Sequence, residues 1–361
     1  MLPALDNYPS IDVEQYYYTP YPEEDNYLET RKFEWRVRKI TDGLGSISYK
    51  ATVKYGDKND GQRLEIETPI EAGSFGTTKQ DIDNFAFAYL KKKRYIMADG
   101  LIVDHYLKAN RGEDFIAEKE FKSIKQSKSW LPPGWAKDLN HISNRLRAIN
   151  LEPANSLGVK GMPIKLDKLL NWGRQQDNRI VTISGMSGSG KSRVAGYLAM
   201  VMEAPIINID RFHIGTRALL KACGTINHDI RGAYDYDEAF RAARKLYLGE
   251  SVYLPNYDYK TGGHASTRSL VKPSPRGNVI VEGLHAEMPA SSEDLLYNRV
   301  FVNTPMYVSL VRRILRDCPI KGIPEREVVF NPQDTLRYMH EKALPSYLKD
   351  IPGLYFDYLL V

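Results

Sequence analysis

The stretch "GMSGSGKS", residues 185–192, stands between a short apolar run, "NRIVTISG", and an amphipathic one, "KSRVAGYLAMVMEA". Gly185, Gly190, Lys191 and Ser192 satisfy the pattern G-x-x-x-x-G-K-[ST], after an expected strand and before an expected helix. These glycines, with Gly188, let the backbone N–H groups of Met186, Ser187 and Ser189 turn inward around phosphate oxygens. The helix that follows adds the positive end of its dipole. Lys191 would then reach the β- and γ-phosphates of a nucleotide, and the Ser192 hydroxyl would stand at Mg²⁺. The competing reading is a glycine turn that holds no nucleotide.

Downstream, "APIINID" reads as a strand, "DYDEAFRAARKLYLG" as a helix and "GNVIVEGL" as another strand. Strands alternating with helices predict a parallel sheet covered on both faces, an α/β fold spanning residues 178–361. Asp210, in "NIDRFH", ends one such strand. A carboxylate there can take the proton of an acceptor hydroxyl as it attacks a γ-phosphate, or it can simply cap a helix.

Taken in order, "NIDRFH", "YDYDEAF", "LPNYDYKTGGHASTR", "VIVEGLHA" and "VRRILRDCPIKG" resemble the uridine kinase and phosphoribulokinase family over about residues 179–361. The resemblance implies a kinase that uses ATP and Mg²⁺, with Asp210 as base and Ser192 with Glu282 holding the metal. It implies that Tyr257, Tyr259 and His264 contact the acceptor, and that Arg312, Arg313 and Arg316 close over the phosphates. The bland alternatives are packing tyrosines, a loop histidine and a solvated arginine face. Three departures stand out. The hairpin segment "YDYKTGGHAST" is longer than the family's, only Lys321 follows "RRILRD", and "RFHIGTRALLKACGTINHDIRGAYDYDEAF" differs from the segment that shapes a uridine pocket. Transfer to a hydroxyl is implied; the acceptor stays open among nucleosides, sugars and modified bases.

The first 150 residues have a different grammar. "YLETRKFEWRVRKI", "GSISYKATVKYG" and "QRLEIETPI" alternate in type and are separated by Gly, Asp and Asn, so they read as antiparallel strands. A helix is expected over "TKQDIDNFAFAYLKKK", with Thr78 or Asp81 near its start, and strands again at "RYIMADGLIVDHYL" and "EDFIAEKEF". "SWLPPGWAKDLNHISN" reads as a closing loop, and residues 151–177 as a connection ending in the short helix "LDKLLNWGRQQ". Alternation points Arg36 and Arg38 to one side, as it does Glu65 and Glu67; a strand with one solvated face would look the same.

The succession "VEQYY", "EWRVRK", "ISYKATVKYG", "RLEIETPIE", "KKKRY", "LIVDHY", "IAEKEF" and "PPGWAKDLNHISN" resembles the CYTH, or triphosphate tunnel, family. That family closes antiparallel strands into a tunnel or barrel in which cations grip a triphosphate and carboxylates hold divalent metal. The resemblance implies a basic set of Arg36, Arg38, Lys54, Arg63, Lys92 and Arg94, and an acidic set of Glu65, Glu67, Asp104, Glu118 and Glu120. The family's first strand, E-x-E-x-K before an "LP-x-L" segment, has no counterpart ahead of "MLPAL": either the start is truncated or the domain has lost a metal-binding wall of its tunnel, and the expectation is the second, with impaired hydrolysis. The two families occur fused; here the CYTH-like half comes first.

The bulk composition agrees with a two-domain globular chain. Its 361 residues are 42% apolar and 26% charged, with no apolar run as long as a membrane span. Two cysteines, Cys223 and Cys318, form no metal or disulfide pattern and suit a reducing cytoplasm. A net charge of +5 fits phosphate ligands without calling for nucleic acid, and the 24 tyrosines are read as packing residues. Oligomeric state is not legible. Three function classes follow: a small-molecule kinase, a tripolyphosphate or nucleoside-triphosphate hydrolase acting through the first half, and a non-catalytic phosphate sensor.

Overall fold

A computed structural model describes residues 4–20, 33–56, 64–97, 100–108, 114–119, 126, 148–153, 157–258, 263–287, 295, 297–318 and 331–361. The chain divides into two compact units, Met1–Ala154 and Asn155–Val361.

In the first unit the strands are β1 (Ser10–Tyr17), β2 (Phe33–Thr41), β3 (Ile47–Tyr55), β4 (Leu64–Ile70), β5 (Ala88–Ile96), β6 (Ile102–Lys108), β7 (Asp114–Glu118) and β8 (Ile149–Asn150). They form one antiparallel sheet in the order β4-β3-β2-β1-β5-β6-β7, with β8 on β5. Period two sends Trp35, Val53 and Ile66, which are cross-strand partners, to one face. All three are buried, and Trp35 stacks on Phe75 with ring centroids 5.4 Å apart. The expected helix is corrected here: α1 spans only Lys79–Phe85 and β5 follows it. Thr78 caps α1 by accepting from the Asp81 N–H. Beyond it, Ala88, Leu90 and Lys92 are buried while Tyr89, Lys91 and Lys93 are half-buried, which is a strand's period.

In the second unit six strands lie parallel in the order β11-β14-β10-β15-β16-β9. These are β9 (Lys160–Ile164), β10 (Ile180–Ser184), β11 (Ile206–Asn208), β14 (Val279–Gly283), β15 (Tyr297–Val302) and β16 (Tyr355–Leu360). A separate hairpin joins β12 (Val252–Asp258) to β13 (Gly263–Val271). The helices are α2 (Leu166–Arg174), α3 (Lys191–Met202), α4 (Thr216–Cys223), α5 (Tyr236–Tyr247), α6 (Met306–Asp317), α7 (Pro332–Tyr338) and α8 (Leu344–Asp350). Alternate residues of β10 serve two cores. Ile180 packs with Phe240 and Leu246 of α5, whereas Val181 and Ile183 pack with Leu169 of α2 and Leu198 of α3. Residues 151–177, expected as a connection, contribute both the edge strand β9 and the helix α2.

Candidate active site

The loop 185–190 leaves the C-terminal end of β10 and enters α3 directly. Gly188 and Gly190 take φ of +89° and +94°, a region that L side chains resist. A Cβ added at Gly188 would lie 2.1 Å from the Ser309 carbonyl oxygen, so α6 presses onto the loop with no room for a side chain. Thr304 Oγ1 donates to the Ser189 carbonyl at 2.8 Å and ties the same loop from the other end.

Around this loop the C-terminal ends of β10, β11 and β14 converge, the usual place for a ligand in an open parallel sheet. Ser192 Oγ lies 3.2 Å from each Glu282 carboxylate oxygen. Asn208 Nδ2 donates to Glu282 Oε1 at 2.5 Å and its Oδ1 accepts from the Asp210 N–H at 2.7 Å. Burial, with Asp210 adding repulsion, raises Glu282 above the ordinary carboxylate range, while Lys191, Ser192 and Asn208 oppose it. A buried carboxylate facing a hydroxyl across 3.2 Å is an oxygen pair suited to a hard divalent cation that keeps its waters and phosphate ligands.

A cavity of about 650 Å³ opens here, and Ser187, Lys191, Ser192, Asp210 and Arg316 line its phosphate-loop side. His213, Thr216, His228, Asp229, Tyr234, Tyr257 and Arg313 are among the residues that line it further out, with Asn331, Asp334, Thr335 and Tyr338. Of the expected acceptor contacts, Tyr257 reaches the cavity and packs against His213 at 5.4 Å between centroids. His264 is the β-partner of Tyr257 on β13, and Tyr259 lies outside the described residues.

The arginines divide. Arg316 donates to Ser187 Oγ at 3.2 Å and pairs with Asp317 at 2.7 Å, so it does stand at the loop. Arg312 Nη1 would be 3.9 Å from a Cβ at Gly190. Arg313, expected over the phosphates, borders the same cavity, where its two Nη atoms grip the Asp229 carboxylate at 2.9 and 3.1 Å. Tyr338 donates to Asp229 at 2.6 Å, and Tyr347 donates to it as well. Against the cost of burial, Arg313 and these two hydroxyls hold Asp229 down to about 2. Sequence reasoning missed this cluster, together with His213, His228 and Asn208. Its only signal was the polar run "INHD" inside a segment that departs from the family.

In the first unit a second polar array lies on the other side of the sheet from Trp35. Register aligns Glu34 with Lys54 and Lys54 with Glu65, Arg36 with Thr52 and Thr52 with Glu67, and Arg94 with Asp104. Every described carboxylate of the expected acidic set is held by cations. Glu65 takes Lys54 at 2.8 Å and Arg36 at 3.5 Å; Glu67 takes Lys50 at 2.9 Å and also Arg38. Asp104 takes Lys92 at 2.5 Å and Arg94 at 2.7 Å, and Glu118 takes Arg94 at 3.5 Å. Arg36, Lys92 and Asp104 are buried, and burial, with Arg36 and Arg94 nearby, lowers Arg38 to about 10. Arg63 and Glu120 lie outside the described residues. Among the described residues no three His, Cys, Asp or Glu side chains stand together as a metal cage.

A parallel sheet, a glycine loop opening a helix and a carboxylate on the neighbouring strand's exit define a phosphotransferase that acts on a hydroxyl group. Comparison with known proteins gives the same class. Residues 180–331 match the Phosphoribulokinase / Uridine kinase family. The chain is 30% identical over 172 residues to the uridine kinase of Vibrio vulnificus, covering 44% of this chain and 78% of that one. It therefore belongs to the phosphoribulokinase and uridine kinase family. It is also 31% identical over 171 residues to the inorganic pyrophosphatase TTM1 of Arabidopsis thaliana, across 47% of this chain and 26% of that protein. The solved inorganic triphosphatase NE1496 aligns at 21% identity and a TM-score of 0.21, over 36% of this chain and 79% of that one, a likeness too slight to carry an argument. Among the described residues no helix is long and apolar enough to cross a membrane.

Proposed function

We propose that the second unit transfers the γ-phosphate of ATP to a hydroxyl of a nucleoside or a similar small molecule. The observation that carries this is one cavity bordered by Lys191, Ser192 and Asp210 on one side and by hydrogen-bonding side chains on the other. The nucleotide's phosphates would lie in the glycine loop, with Lys191 compensating their charge and Arg316 reaching them from α6. Ser192 and Glu282 would hold Mg²⁺, which supplies charge neutralisation on the phosphate oxygens when bound. Asp210 accepts the proton of the attacking hydroxyl, and Asn208 fixes the turn that carries it by accepting from the Asp210 N–H. The reaction consumes intracellular ATP, which favours a cytoplasmic setting.

The test is transfer from labelled ATP to a panel of nucleosides, sugars and tripolyphosphate, with products identified by mass. Lys191→Ala should abolish transfer. Asp210→Asn should lower turnover by about 10²–10⁴-fold while nucleotide binding persists. Full turnover in the Asp210 variant would remove it from the base role.

A second reading concerns the first unit: a CYTH-type face that binds tripolyphosphate or another polyphosphate. It is supported by the row of Arg36, Arg38, Lys50, Lys54, Lys92 and Arg94 on one face of the sheet. With its carboxylates already neutralised by cations, this face is better suited to binding than to hydrolysis.

A further inference from the structure

One backbone amide dictates the proton positions on two histidines inside the cavity. The Gly215 N–H donates to His213 Nδ1 at 2.9 Å, so that nitrogen carries a lone pair and the His213 ring is neutral with its proton on Nε2. His213 Nε2 lies 2.8 Å from His228 Nδ1. Only one proton can occupy that contact, and it already belongs to His213. His228 Nδ1 is therefore the acceptor, and the neutral His228 ring must carry its own proton on Nε2.

That Nε2–H has no hydrogen-bond partner among the described residues, although the rest of His228 is tied down. The backbone N–H donates to the Tyr338 hydroxyl at 3.0 Å, and the carbonyl accepts from Tyr234 at 2.8 Å. The side chain is half-buried and borders the same cavity as Asp210 and Tyr257. The pair is also rooted beside the candidate base: the His213 N–H donates to the Asp210 carbonyl at 3.3 Å. Burial lowers the proton affinity of His228, Asp229 opposes, and Arg313 and Lys342 reinforce, which suits a ring that stays neutral.

We infer that His228 is a specificity-determining residue for the phosphate acceptor, presenting a fixed, uncharged N–H donor to a lone pair on the molecule whose hydroxyl faces Asp210. This rests on the kinase reading of the cavity. A neutral donor of this kind selects an uncharged acceptor that carries, beyond its attacking hydroxyl, a carbonyl, a second hydroxyl oxygen or an unprotonated ring nitrogen.

The test uses the full chain, ATP, Mg²⁺ and the best acceptor from the panel above. His228→Ala should raise the KM for that acceptor about tenfold, with the KM for ATP within twofold of wild type. His228→Gln, whose amide N–H can replace the lost donor, should recover most of the loss. Long-range proton–nitrogen NMR should show both rings neutral with the proton on Nε2, a readout that needs neither variant to fold. An unchanged acceptor KM in a folded His228→Ala chain, or a proton on His228 Nδ1, overturns the proposal while leaving the kinase reading intact. A wild-type chain that phosphorylates nothing in the panel overturns both.

Discussion

Asp229 illustrates how much of a site can depend on one side chain far from the recognisable motif. Its carboxylate is buried, bidentate with Arg313, and accepts from Tyr338 and Tyr347. Removing the charge with Asp229→Asn leaves Arg313 buried without its counter-ion, at a cost of about 3–5 kcal/mol. Its folded pKa, about 2, lies below the ordinary value near 3.9. The stabilisation is therefore complete above about pH 4 and fades as pH falls towards 2. Thermal melts between pH 2 and 6 should show that acid slope in the wild-type chain and a flatter one in the variant. None of this was legible in the sequence, because Arg313, Tyr338 and Tyr347 reach Asp229 only through the tertiary fold. The phosphate loop was legible because its chemistry lies in eight consecutive residues whose order alone sets their geometry.

At the scale of elements, two glycines of one loop should respond unequally. Gly188→Ala meets the Ser309 carbonyl at 2.1 Å, so either the loop or α6 must move. Nucleotide affinity should fall at least tenfold and the melting temperature with it. At Gly190 the nearest neighbour is Arg312 Nη1 at 3.9 Å, leaving chiefly the backbone cost of φ +94°, about 1–2 kcal/mol. Titration calorimetry on both variants checks the ranking, and equal losses would deny the close seat of α6. Alternating strands and helices in the second unit were readable from apolar runs bounded by turns, since a parallel strand is buried on both faces. The helix expected through residues 78–93 shows where this fails. "AFAYLKKKRY" suits either period, and the pairing of β5 with both β1 and β6 decides for the strand.

For the whole molecule, the two units carry polar arrays of different kinds, and their roles should separate by substitution. Glu65→Gln with Glu67→Gln releases Lys54, Arg38 and Lys50 from these carboxylates, while Arg36 keeps Glu34 at 3.3 Å. Tripolyphosphate should then bind more tightly and more salt-sensitively, with transfer from ATP unchanged in rate; Lys191→Ala should do the reverse. Calorimetry at two ionic strengths alongside the transfer assay checks both, and unchanged tripolyphosphate affinity would argue against a binding face there. The charged residues of the first unit were readable as a set from strand alternation, but their mutual neutralisation was not, since it depends on register across four sheet contacts. The second unit also has a temporal consequence. Among the described residues β9 has only β16 as its neighbour in the sheet, although the two are separated by nearly the whole unit in sequence. On a ribosome, the segment around Lys160–Ile164 must wait unpaired until Tyr355–Leu360 has emerged from the exit tunnel. The kinase sheet can therefore close only after translation has passed its last strand, and the nascent chain carries an open strand edge until then.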